Sequence, residues 1–169
     1  MKNVIRRQTL GDVLRRTALR VPSKTAIICG STHWTYAEFD GLVSRLAAGL
    51  SQLGGGQGDR IAVLARNSHG FAAMRFALAR LGAVLVPVNF MLNADEVAYI
   101  LRHAGARILA TDSDLAELAR AAAALGLTEP AQVPWKTHRR SRSPLRLRFA
   151  AIECRVPGSL SSTRWSGSM

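Results

Sequence analysis

A chain of 169 residues, 48% hydrophobic and 20% charged, has a globular composition and room for one domain with a real core. Its formal net charge of +12 suggests a nucleic-acid or membrane-surface partner, but the charge is unevenly spread. Residues 1–128 hold 15 Lys/Arg against 9 Asp/Glu, and residues 129–169 hold 8 against 2, so the excess basicity belongs largely to the last segment.

The first segment, "MKNVIRRQTL", has no apolar signal core. Its arginines loosely resemble a transit peptide, a reading that Asp12 and the helix after it argue against. In "TLGDVLRRTALRVP" the apolar set Leu10, Val13, Leu14 and Ala18 has helical spacing, with Thr9 as cap and Pro22 as stop. "KTAIICG" reads as a short strand, and "THWTYAEF" as a strand running into a helix start. Thr35 and Glu38 form a T-x-x-E capping box. Behind it Phe39, Leu42, Val43, Leu46, Ala47, Leu50 and Leu53 repeat every three or four residues as one apolar stripe.

"GGGQGD" ends that helix, and "RIAVLA" is a strand of the buried type. A helix over roughly 68–80 presents Phe71, Met74, Ala77, Leu78 and Leu81 to the core, and "AVLVPV" is the next strand. Asn93 caps a further helix, with Glu96 three residues on and Val97, Ile100, Leu101 and Ala104 facing inward. Gly105 ends it, "ARILATD" is a third strand, and "DLAELARAAAALG" a last helix. Strands alternating with helices over short connections predict right-handed βαβ crossovers and a parallel sheet. The strands are near-continuous apolar runs, as covering on both faces requires. The expected fold class is α/β.

Past Thr128 the periodicity stops. Residues 129–169 contain four of the six prolines, two of the three tryptophans and seven serines among eight basic residues. The expectation is a disordered or poorly ordered basic tail.

Few residues point to chemistry. Two cysteines, Cys29 and Cys154, match neither a disulfide framework nor a metal knuckle, and a reducing cytoplasm is the expected compartment. No apolar run approaches the roughly 20 residues that span a bilayer. The "GGGQGDR" run invites a dinucleotide reading, but a phosphate-binding glycine loop follows a strand and opens a helix. Here the order is reversed, which suits a helix C-cap and turn. Lys2, Lys24 and Lys136 do not follow a glycine, so no P-loop is present. His33, His69, His103 and His138 are scattered without acidic partners at ligand spacing. His103 suits the end of its helix, where positive partial charge is favourable. Ser68-His69 and the Asp112–Asp114 pair read as helix caps. Asn89 falls at the carboxyl edge of the sheet, where open α/β folds place ligands, although a turn-forming role is the plainer account. The tail's "THRRSRSPLRLRF" could contact phosphate backbones, but it lacks the aromatic interleaving of a stacking surface.

From about Thr9 to Leu125 the sequence resembles the opening of the acyl-CoA synthetases, the fatty-acid–CoA ligases of the adenylate-forming superfamily. "TYAEFD", "GDRIAVLARNS" and "LGAVLVPVNFMLNADEVAYILRHAGAR" carry the resemblance, in that order. The Pro-Val-Asn turn and "ILRHAGAR" lean towards long- and medium-chain acyl ligases over peptide-synthetase modules. The resemblance implies that residues 1–128 form part of the N-terminal domain of an AMP-binding enzyme. It further implies a parent reaction in which a fatty acid and ATP, with Mg²⁺, give an acyl-adenylate and pyrophosphate, followed by transfer of the acyl group to coenzyme A.

The family's adenylation motifs are a Ser/Thr/Gly-rich loop ending in Pro-Lys-Gly, an aromatic-x-x-Thr-Glu motif, a ribose-binding Asp and a late catalytic Lys. None of them is found in these residues, and Lys136 sits in an unrelated Trp-Lys-Thr-His context. No catalytic, cofactor-binding or metal residue is therefore carried over. The leading expectation is a truncated ligase without activity, its reading frame shifted near residues 128–134, poorly soluble and marginally stable. A chaperone or a complementing polypeptide is its expected partner. The alternatives are a non-catalytic binding module on the ligase fold and a nucleic-acid binder acting through residues 136–148. Monodisperse protein would favour the first alternative; a salt-dependent DNA shift lost with the tail would favour the second.

Overall fold

A computed structural model describes residues 9–126 and 148–151. Helix α1 (Leu10–Arg20) leads into an antiparallel hairpin of β1 (Thr25–Cys29) and β2 (Thr32–Thr35), and helix α2 (Tyr36–Gln52) follows directly. Three strand–helix units come next: β3 (Arg60–Leu64) with α3 (His69–Leu81), β4 (Val84–Val88) with α4 (Ala94–Ala104), and β5 (Ile108–Thr111) with a 3₁₀ turn (Ser113–Leu115) and α5 (Ala116–Gly126). A short strand β6 (Arg148–Ala151) completes a four-stranded parallel sheet in the order β4-β3-β5-β6.

The caps follow the local sequence. Thr9 with Asp12, Thr35 with Glu38, and Asn93 with Glu96 each close a capping box, satisfying donors that a helix N-terminus leaves free. Gly82 and Gly105 end α3 and α4 in the left-handed conformation, with φ of 70° and 62°, which costs a glycine little.

The central strand explains its own composition. Ile61 and Val63 point into a core built with α1, α2 and α3, while Ala62 and Leu64 point into a second core beneath α4 and α5. All four are fully buried, so the period of two is present but both phases are apolar.

Two expectations are corrected. In α1 the buried residues are Gly11, Leu14 and Ala18, whereas Leu10 and Val13 stay exposed. The cause is a close backbone approach: a Cβ on Gly11 would lie 2.9 Å from the Cα of Arg80, so the glycine face turns inward and carries its neighbours outward. In the tail, Arg148–Ala151 form a strand where no regular element was expected. That strand pairs with the side of β5 away from β3, from Ile108↔Arg148 to Thr111↔Ala151, which a strand edge with open donors and acceptors invites. The readings made for residues 1–8, for Lys136, His138 and Cys154, and for the rest of the tail lie outside the described residues.

Candidate functional site at the carboxyl edge of the sheet

The chain steps from β3 to β4 on one side and then returns past β3 to β5 on the other. That reversal makes the carboxyl ends of β3 and β5 a topological switch point, where open α/β sheets hold their ligands. The loops after β3, β4 and β5 bring Arg66, Ser68, Asn89, Phe90, Asp112 and Asp114 to this edge.

Each side chain there has a structural task. The Asp112 carboxylate accepts the backbone N–H of Arg66 at 2.8 Å, and the Asp112 N–H donates to the Leu64 carbonyl at 3.3 Å. The Arg66 guanidinium donates to Asp114 at 3.2 Å and lies 5.7 Å from the centroid of the Phe90 ring. Together these contacts bridge the switch point. The expected capping role of Asp112 is thereby corrected, because its side chain makes no cap bond to its own 3₁₀ turn and crosses to the β3 loop instead. The β3 loop already lies within reach, which settles the competition. Ser68 does cap α3 through the Phe71 N–H, and Asn89 accepts the Met91 N–H at 3.0 Å, the turn-forming role. Arg66 was not singled out in the sequence; its place directly after the apolar run "RIAVLA" is the signal that marks it.

The histidines do not join this edge as a group. His69 opens α3 with its ring edge-on to Trp34 at 4.9 Å, and its buried Nδ1 has no hydrogen-bond partner. His103 stacks on Tyr99 in the last turn of α4, and His33 is exposed on β2. Among the described residues no cluster of three or more His, Cys, Asp or Glu could hold a metal ion.

The glycine run does not fit a phosphate cradle. Its amides are already spent: Gly54 donates to Ser51, Gly55 to Leu50, Gly56 to the Asp59 carboxylate and Gly58 to Gly82, all at 2.9 Å. Gly55 is additionally walled in, since a Cβ there would sit 3.0 Å from the Leu50 carbonyl oxygen and 3.1 Å from Ile61. The run caps α2 and turns the chain into β3.

Comparison with known proteins gives the fold its family. The sequence model described as AMP-binding enzyme matches residues 14–148, past the end of the regular pattern at Thr128. The chain is 39% identical over 103 residues to the putative acyl-CoA synthetase YngI of Bacillus subtilis, covering 60% of this chain and 19% of that protein. It is 40% identical over 120 residues to feruloyl-CoA synthase of Amycolatopsis sp, covering 71% and 24%. Among solved structures, the inhibitor-bound N-terminal domain of FACL13 from Mycobacterium tuberculosis superposes with a TM-score of 0.67 at 33% identity, covering 73% of this chain and 31% of that one. The chain thus spans about a fifth to a quarter of the length of the curated relatives it matches. With a family match over most of its length and the same parallel sheet, the chain belongs to the AMP-binding enzyme family.

Proposed function

We propose that these residues supply the opening βαβ layer of an AMP-forming acyl-CoA ligase and do not activate a carboxylate by themselves. The observation behind this reading is the bridged switch point. Asp112 holds the Arg66 N–H and the Arg66 guanidinium pairs with Asp114 at the edge where open α/β sheets take their ligands, and the glycine amides are used internally. Phosphoryl chemistry needs positioned donors and cations around the transferring group, and the ligase motifs that provide them are missing from the sequence. ATP, Mg²⁺, a fatty acid and coenzyme A then belong to the reaction of a complete ligase, in the cytoplasm and in fatty-acid metabolism. No helix among the described residues is long and apolar enough to cross a membrane.

The matched stretch does not single out one acid. It is shared, at similar identity, with relatives named for long-chain fatty acids, ferulate and 2,3-dihydroxybenzoate. The tail's composition supports a second part of the proposal, a change of reading frame near residues 128–134; the family match running on to residue 148 counts against it, and translation of the surrounding DNA in all frames decides.

The decisive assay is pyrophosphate exchange into ATP with the purified chain and a panel of fatty and aromatic acids. Exchange at background is expected, and acid-dependent exchange above it would overturn the proposal.

A further inference from the structure

Net charge in the first 128 residues has one source. Residues 25–128 hold eight Lys/Arg against eight Asp/Glu, whereas residues 1–24 hold seven against one, so the opening segment carries the whole excess. Lys2, Arg6 and Arg7 precede α1 in the sequence. Arg15, Arg16 and Arg20 are exposed on α1, and Lys24 is exposed just past its end. Among the described residues none of these last four forms a salt bridge, while Arg66, Arg80, Arg107 and Arg120 elsewhere each do. The one acid of the segment, Asp12, is engaged by Thr9 in the cap of α1.

Apolar side chains stand among these cations. With Gly11, Leu14 and Ala18 buried on the side of α2 and α3, Val13 and Leu19 are left 53% and 77% exposed on the outer side. Leu19 follows Arg15 and Arg16 by one turn, and Val13 precedes Arg16 by one turn. The mixture selects the occupant. The core of a protein interface is depleted in charge, and a nucleic acid would take the cations while leaving Val13 and Leu19 in water. An anionic lipid surface takes both, with arginines among the headgroup phosphates and apolar side chains at the acyl boundary. We propose that the outer face of α1, with the basic residues around it, docks this chain on a membrane surface rich in anionic lipid. The contact is peripheral, because α1 has 11 residues, well short of the roughly 20 that span a bilayer. Each cation at such a surface is worth about fivefold in affinity.

The test is flotation of the full chain with vesicles of phosphatidylcholine alone, or of equal parts phosphatidylcholine and phosphatidylglycerol. Self-aggregated chain stays at the bottom of the gradient. Binding should require phosphatidylglycerol and fall with added salt. Arg15→Gln, Arg16→Gln and Arg20→Gln together should weaken it at least about tenfold. The same charge change in the tail, Arg139→Gln, Arg140→Gln and Arg142→Gln, should weaken it less than about threefold, acting only through the screened field. A second readout keeps all six arginines. With Cys29 and Cys154 replaced by serine, an environment-sensitive dye on Leu19→Cys should shift to the blue on the anionic vesicles. The same dye on Tyr99→Cys, a position 59% exposed on α4 in the other layer, should not shift. Absence of flotation overturns the inference, as does equal flotation with phosphatidylcholine alone. Equal losses from the two arginine triples overturn it, and so does a dye at position 19 that still reports water on bound chain. Duplex DNA binding that the α1 triple abolishes, with vesicle binding unchanged, would make the segment a nucleic-acid surface instead.

Discussion

Gly11 lacks a side chain where α1 meets the backbone of Arg80, and this contact governs which face of α1 is buried. Ala at that position would place its methyl 2.9 Å from Arg80 Cα, against backbone that cannot swing aside. Overpacking of this kind costs about 1–3 kcal/mol, so Gly11→Ala should lower the urea midpoint accordingly, and an unchanged midpoint would remove the close approach from the account. At the switch point the two aspartates should separate. Asp112→Ala frees the Arg66 N–H and loosens the β3 loop, for about 1 kcal/mol. Asp114→Ala breaks only an ion pair whose side chains are 55% and 72% exposed, worth within about 0.5 kcal/mol. Equal losses would contradict the bridge. Ser68 and Asn89 were legible from sequence because their partners lie two or three residues away. Asp112 was not, because its partner lies 46 residues away across the sheet.

Helix ends carry the pH dependence of this fold. The Thr35 backbone N–H, and then its hydroxyl, donate to Glu38 and hold its carboxyl below the ordinary value of 4.5. In Asp12 the Thr9 hydroxyl contributes most, then the Thr9 N–H, with Arg16 and Arg15 adding attraction. A folded-state value below the unfolded one means that the contribution is fully present above the unfolded value and is lost as pH falls through the folded one. Stability should therefore decline progressively below about pH 4.5, and Glu38→Gln should flatten that decline while leaving its slope above pH 6 unchanged. A mutant with the parent's acid profile would show that the box is not formed in solution. The same local chemistry explains why α2 to α4 were legible: stripe, cap and stop lie within one window of sequence. The inward face of α1 was legible only for Leu14 and Ala18, since Leu10 and Val13 at helical spacing compete with one glycine whose partner is on α3. Strand β6 was not legible, since "RFAA" becomes a strand only because β5 offers an open edge.

At the scale of the whole molecule, one sheet serves two cores. Ile61 and Val63 belong to the layer of Trp34 and α1–α3, while Ala62 and Leu64, on the same four-residue run, belong to the layer of α4 and α5. Melting either layer strips one face of β3 and β5, so neither should survive the other, and the coupling can be read from one buried leucine. Leu64→Ala removes fully buried volume from the α4–α5 side, a change that costs about 2–5 kcal/mol. With Trp135 and Trp165 replaced by phenylalanine, the fluorescence of Trp34 reports on the opposite layer alone. Its transition should shift by as much as hydrogen exchange in α5 does. A Trp34 transition left in place would mean two independent half-cores. The midpoint itself should be low, because Val84 at the sheet edge and Met91 beyond it are 48% and 80% exposed. Native-state binding of a hydrophobic dye and concentration-dependent aggregation should accompany that midpoint. A coupled transition at high temperature, with no dye bound, would show that this layer closes its own surface.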